Sequence, residues 1–160
     1  MTALIKDTQK LLKTDKKRIR EITGNLLTYL KLPDRDVSIL FVDNRQIRKL
    51  NKQFFGKDKP TNVISFSYIE EETVPRSSGG EMPCEMIGDI VISLEKAREE
   101  ADSLEIPFYE RLFTLIIHGL LHILGFHHEK GGNELRRMRY REKKLLAYVT
   151  SDRIYKEITL

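Results

Sequence analysis

One segment in the second half of the chain is apolar on almost every side of the helix that it predicts. Pro107 suits the first turn of a helix, and the pattern continues to Leu124. The apolar side chains of this segment are Leu112, Phe113, Leu115, Ile116, Ile117, Leu120, Leu121, Ile123 and Leu124. A helix that is apolar all round lies in the core of a water-soluble protein. The rest of the fold must therefore be built around it. Gly125, directly after the segment, favours termination of the helix there.

Hydrophobic periodicity predicts further helices and short strands around this core helix. Helices are predicted over residues 15–30, from a capping box at Asp43 and Gln46 to Gly56, from a cap at Ser93 to about Leu104, and after a cap at Asn133. Strands are predicted over residues 37–42, 63–68 and 87–92, and an exposed loop over residues 69–85.

The order of these elements is helix–strand–helix–strand–strand–helix–helix–helix. The strand–helix–strand unit over residues 37–68 predicts a parallel pair joined by a right-handed crossover. The fold class is therefore α/β (α+β): a single domain over residues 1–160, with a small mixed sheet, about five helices and a central buried helix. A chain of this length, with 40% apolar residues, can bury such a core.

Composition excludes several classes of protein. No stretch of 18 apolar residues is present, which argues against a membrane span, and the N-terminus lacks the apolar run of a signal peptide. Cys84 is the only cysteine, so no intramolecular disulfide forms, and a reducing cytoplasm is the expected location.

The charges are segregated along the chain, although the net charge is only +4. Residues 1–69 carry fifteen basic and seven acidic side chains. Residues 70–110 carry three basic and twelve acidic ones, and residues 133–149 carry six basic and two acidic ones. Such segregation can create a surface that attracts phosphates. Solvated helix faces are the alternative explanation.

All four histidines lie within eleven residues, in the run HGLLHILGFHH. His118 and His122 are four apart on the core helix, so their rings project from one face. Gly125 allows the backbone to reverse and bring a third imidazole to the same point. Three imidazoles that leave a fourth position for water are typical of a catalytic Zn²⁺ site. We expect one zinc ion per chain.

The third ligand is chosen by spacing. The pattern H-x3-H-x5-H selects His128, as in the elongated zincin motif H-E-x-x-H-x-x-G-x-x-H, and the adjacent His127 is the alternative. The zincin motif has a glutamate general base after its first histidine. Here that position is Gly119, which argues against proteolysis.

Three segments together resemble the YbeY family of bacterial rRNA maturation endoribonucleases. They are the histidine run 118–128, the segment LNKQFFGKDKPTNVISF over residues 50–66, and the segment GDIVIS over residues 88–93. The resemblance covers most of the chain. It implies a zinc-dependent, single-strand-specific endoribonuclease that processes rRNA ends, serves ribosome quality control and works in the cytoplasm with ribosomal proteins or ribosome-associated factors.

The chain departs from the family pattern at three positions. Phe55 stands where an arginine is usual, Asn62 where aspartate is common, and His127 where aspartate is common. The first departure removes the residue best suited to a bidentate phosphate contact.

Other residues are candidates for supporting roles. Lys57, Lys59 and Arg48 are the candidates for RNA binding, and Asp89, a lone carboxylate in an apolar strand, is a candidate for fixing a histidine tautomer. The segment 136–144 could also track RNA or the ribosome. No side chain is assigned as general base, since a zinc-bound water can supply the nucleophile.

Two other functions remain open. One is a metallohydrolase with a non-RNA substrate. The other is a non-catalytic ribosome-binding factor that zinc stabilises.

Overall fold

The strands of the protein form one mixed sheet in a computed structural model that describes residues 3–69, 85–126 and 132–158. The strands are β1 (Ala3–Asp7), β2 (Arg35–Val42), β3 (Val63–Ser67) and β4 (Glu85–Ser93). Their order in the sheet is β1-β2-β4-β3. The pairs β1–β2 and β2–β4 are parallel, whereas β3 runs antiparallel to β4. The predicted small mixed sheet is therefore confirmed.

Six helices pack with this sheet over the described residues. They are α1 (Lys16–Tyr29), α2 (Asn44–Phe55), α3 (Leu94–Leu104), α4 (Phe108–Ile123), α5 (Asn133–Ser151) and α6 (Arg153–Ile158). The predicted caps at Asp43 and Ser93 are confirmed, because each side chain accepts a hydrogen bond from the backbone three residues later. The α/β fold class is confirmed, and α4 is the central buried helix.

The structure corrects the predicted parallel pair. β4 lies between β2 and β3, and β3 is antiparallel to its neighbour, so the prediction that β2 and β3 pair through α2 is wrong. The parallel crossover runs instead from β1 through α1 to β2. β1 was missed because it has only five residues, of which Ala3 and Ile5 are buried. The short helix α6 was also missed.

The start of α5 is a second correction. Asn133 is the first helical residue rather than the cap, and Gly132 occupies the cap position, where no side chain accepts a hydrogen bond. The predicted loop over residues 69–85 lies almost wholly outside the described residues, but β4 begins at Glu85, two residues earlier than predicted.

The two faces of the sheet are covered differently. On one face, Ile90 of β4 packs directly under Gly119 of α4, and Gly88 packs under Ile123. On the other face, Val91 belongs to a small separate cluster with Val42, Ile47 and Ile64 beneath α2. Because successive side chains of a strand point to opposite faces, α4 and α2 lie on opposite sides of the sheet.

The contact between α4 and β4 leaves no room for a side chain at Gly119. A Cβ atom there would lie 2.8 Å from Cγ2 of Ile90. We expect Gly119→Ala to lower the free energy of unfolding by about 1–3 kcal/mol, because the added methyl overpacks the core. Urea denaturation measures the change, and exposed Ser103→Ala should change it by less than about 0.5 kcal/mol.

Shortening Ile90 tests the cause of that loss. Gly119→Ala combined with Ile90→Ala should be less destabilised than the sum of the two single variants, because the second change removes all three Ile90 atoms that the new methyl would meet. Simple additivity would show that the contact does not limit position 119.

Candidate metal centre

Helix α4 brings two histidines side by side near its C-terminal end. The ring centroids of His118 and His122 are 4.4 Å apart, with an angle of 56° between the ring planes. Both residues are partly buried. Two nitrogens that bind one zinc ion at the usual distances in tetrahedral geometry lie about 3.3 Å apart. Neighbouring rings at this separation are compatible with a shared ion, as the i, i+4 spacing predicts.

The carboxylate of Glu142 on α5 contacts the His118 ring. The distance between Nδ1 of His118 and Oε1 of Glu142 is 2.9 Å, and the two side chains are 28% and 21% exposed. A carboxylate at Nδ1 favours the tautomer that carries its proton there, which leaves Nε2 to act as a ligand. Histidines that bind metals commonly have such a carboxylate partner.

The sequence contains a signal for Glu142 that the predictions above do not include. Met138, Leu145 and Val149 form the buried stripe of α5, and Glu142 lies four residues after the first and three before the second. It therefore belongs to the inward face of the helix. A carboxylate on an inward face needs a polar partner, and a histidine on the core helix meets that need.

The backbone reverses at the end of α4 as predicted. Gly125 adopts φ 96°, its N–H donates to the carbonyl of His122, and the N–H of Phe126 donates to the carbonyl of Leu121. These two bonds form a Schellman motif. The predicted third ligand, His128, and its alternative, His127, lie outside the described residues, so the choice between them stays a prediction.

The donor chemistry fits a borderline ion such as Zn²⁺, which accepts imidazole ligands readily. Within residues 3–69, 85–126 and 132–158, no group of three or more His, Cys, Asp or Glu side chains is arranged to hold a metal ion. The described part of the site therefore consists of His118, His122 and the Glu142 carboxylate behind His118.

The position that carries the general base in zincins faces the wrong way here. Gly119 points at Ile90 of the sheet, whereas His118 points toward α5. A longer side chain at position 119 would enter the core. The packing thus gives a physical reason for the glycine, and it supports the earlier argument against a zincin-like peptidase.

Asp89 is placed away from the histidines. Its neighbours Gly88 and Ile90 face α4, so Asp89 faces the opposite side of the sheet. There its Oδ2 accepts a hydrogen bond from the hydroxyl of Tyr68, and this bond raises the pKa of Tyr68. The structure gives Asp89 no contact with either described histidine. The carboxylate that contacts a histidine is that of Glu142.

The three basic candidates differ in their surroundings. Arg48 donates from Nε to Oδ1 of Asp58 at 2.8 Å, and the guanidinium lowers the pKa of that carboxyl. Lys57 and Lys59 are exposed, and the described residues show no ion pair for either. The buried amide of Asn51 donates to the carbonyl of Lys59 at 2.9 Å, which fixes the loop that carries both lysines.

Phe55 contributes an aromatic surface at the end of α2. Its ring stacks on Phe66 with centroids 6.3 Å apart, and Phe54 contacts the same ring edge-on at 5.1 Å. Phe54 and Phe55 are each about half exposed. Position 55 is therefore accessible from solvent beside the Lys57–Lys59 loop.

Comparison with known proteins identifies the family. A sequence model described as "Endoribonuclease YbeY" matches residues 4–150. The chain belongs to the endoribonuclease YbeY family. Curated relatives named endoribonuclease YbeY include that of Syntrophotalea carbinolica, 36% identical over 92% of this chain and 95% of the relative. Those of Syntrophus aciditrophicus and Bacillus cereus are each 40% identical, over 84% and 80% of this chain and 80% and 82% of theirs.

A solved structure supports the fold alone. The solution structure of a Thermotoga maritima protein matches with a TM-score of 0.64 and 24% identity, over 94% of this chain and 90% of that one. Among the helices of the described residues, none is both long enough and apolar enough to cross a membrane.

The Glu142 contact predicts an effect on metal affinity. Glu142→Gln should weaken zinc binding roughly 10–100-fold, because the amide holds the proton on His118 Nδ1 less strongly. Competition with a chromophoric chelator measures the affinity. Glu134→Gln, an exposed change in the first turn of the same helix, should leave it unchanged. Equal affinities for Glu142→Gln and the wild type would show that the contact does not support a ligand.

Proposed function

We propose that this protein is a zinc-dependent, single-strand-specific endoribonuclease that processes rRNA ends and serves ribosome quality control in the cytoplasm. Family membership supports RNA cleavage, since the relatives are named endoribonucleases. The observation that carries the metal dependence is the His118–His122 pair with Glu142 behind it. Ribosomal proteins or ribosome-associated factors are the proposed partners.

The residues of the site have separable tasks in this proposal. His118 and His122, with His128 as third ligand, hold Zn²⁺, and Glu142 orients His118 and retains its Nδ1 proton. These residues would hold Zn²⁺ for Lewis-acid chemistry, in which a phosphoryl oxygen would be polarised or the pKa of a water molecule lowered. Because Gly119 carries no base, the described part of α4 supplies no carboxylate of the zincin kind.

The basic loop after α2 is the part of the protein proposed to bind the phosphate backbone of the RNA. Lys57 and Lys59 are exposed without a described ion pair, whereas Arg48 already neutralises Asp58. The two lysines are therefore better placed than Arg48 to attract phosphates. Contacts of this kind depend on salt and carry little base specificity.

Metal content and RNA cleavage test the proposal together. Wild type should contain about one zinc per chain and cut single-stranded RNA faster than the same RNA in a duplex. His118→Ala and His128→Ala should lose zinc and at least about 100-fold in cleavage rate, because the ligand set is broken. Circular dichroism should show both variants folded.

His127→Ala is the matched control and should retain zinc and activity. Loss of zinc from His127→Ala but not from His128→Ala would make His127 the third ligand. Unfolding on zinc removal, with no cleavage by the wild type, would support a structural zinc in a ribosome-binding factor. Cleavage of a peptide or an ester but not of RNA would support another hydrolase.

Phe55 offers a second test of RNA as the substrate. Phe55→Arg should raise kcat/KM on single-stranded RNA about tenfold, because a charge-assisted hydrogen bond to phosphate becomes available. The half-exposed site can accept the change, and the new guanidinium can stack on Phe66 as the ring did. Phe54→Arg adds the same charge one residue away and should raise kcat/KM less. Equal gains would indicate a general charge effect.

A further inference from the structure

Arg141 lies beside the C-terminal end of α4, where its guanidinium packs on an aromatic ring. Its guanidinium carbon is 4.5 Å from the centroid of the Phe126 ring. Phe126 belongs to the Schellman motif that ends α4. The next residue of α5, Glu142, contacts His118. Residues 141 and 142 thus bring α5 across the end of α4, where the two described histidines lie.

The charge of Arg141 is not neutralised by any described carboxylate. Several other arginines form ion pairs, namely Arg18, Arg35, Arg48, Arg111 and Arg153. The described residues show neither an ion pair nor a hydrogen bond for the guanidinium of Arg141, and the residue is exposed. Its N–H donors are available to a ligand.

The contact with Phe126 prepares the side chain for binding. An exposed arginine loses considerable rotamer freedom when it is ordered by a ligand. A cation–π contact holds the guanidinium through the ring face and leaves the planar fork of donors for a bidentate partner such as phosphate. Arg141 therefore begins partly ordered over Phe126, and its neighbour in the chain, Glu142, contacts His118.

We propose that Arg141 binds a backbone phosphate of the RNA strand at the candidate metal centre. The inference rests on the proposed function and extends it to a residue on α5. It also bears on Phe55, since Arg141 supplies a guanidinium to a chain that lacks one at position 55. The two positions lie on different elements, so the phosphate that each would contact need not be the same one.

The test is the affinity of a cleavage-resistant single-stranded RNA analogue for the zinc-loaded protein and its dependence on salt. Arg141→Gln should weaken binding about tenfold at low salt, and the slope of log Kd against log salt should fall by about 0.7, the value for one phosphate contact with a single strand. Arg141→Lys should recover part of the affinity, because charge is kept but the fork is lost. Fluorescence anisotropy with a labelled oligonucleotide measures both quantities.

Arg139→Gln is the matched control. It removes an equal charge from an exposed position of the same helix, two residues away and thus on another side of α5. Affinity and slope should stay near the wild-type values. Equal losses from Arg139→Gln and Arg141→Gln would overturn the proposal in favour of general attraction by a basic helix, and no loss from Arg141→Gln would overturn it outright.

A double-variant comparison tests the role of Phe126. Phe126→Leu keeps an apolar side chain but removes the ring face. In the otherwise wild-type protein, where Arg141 is present, it should weaken RNA binding severalfold. In an Arg141→Gln background the same change should have almost no effect. Additive effects would mean that Phe126 does not act through Arg141.

Two failures remain distinguishable. If wild type neither binds nor cuts single-stranded RNA, the proposed function fails. If wild type does both and Arg141→Gln matches it, only the assignment of Arg141 fails.

Discussion

The close packing of α4 on β4 is the constraint on which the rest of the structure depends. Gly119 lets the helix approach until Ile90 fills the space where a side chain would stand. That approach fixes the rotation of α4 about its own axis. Because His118 is turned about 100° from Gly119, the rotation directs it toward Glu142 of α5, with the ring of His122 beside it. A single missing side chain therefore determines where the histidines point.

Much of this arrangement could be predicted from sequence because the signals are local. The apolar pattern of α4, the capping box at Asp43 and the turn at Gly125 each depend on residues within one or two turns. The histidine pair follows from the same helical periodicity. These predictions concern short-range geometry, which residues close together in the chain largely specify.

The features that were missed depend on partners distant in sequence. The place of β3 in the sheet is decided by its pairing with β4, and the residues of β3 do not by themselves predict an antiparallel neighbour. Asp89 was a candidate for fixing a histidine tautomer because it is a lone carboxylate in an apolar strand, but strand alternation turns it to the other face. Glu142 is 24 residues from His118, and only the inward stripe of α5 hinted at its role.

The chemistry of α5 shows why neighbouring charges on one helix can act separately. Glu142 lies on the buried stripe, where its carboxylate and the imidazole of His118 serve as polar partners for each other. Arg141 is turned about 100° from it, at the edge of that stripe, where an aromatic ring supports the side chain and solvent remains accessible. Burial thus gives the acidic residue an internal partner, and exposure leaves the basic one available to a ligand. The opposite order would bury an arginine beside two imidazoles and expose a carboxylate at the end of α4, where it would repel a polyanion such as RNA.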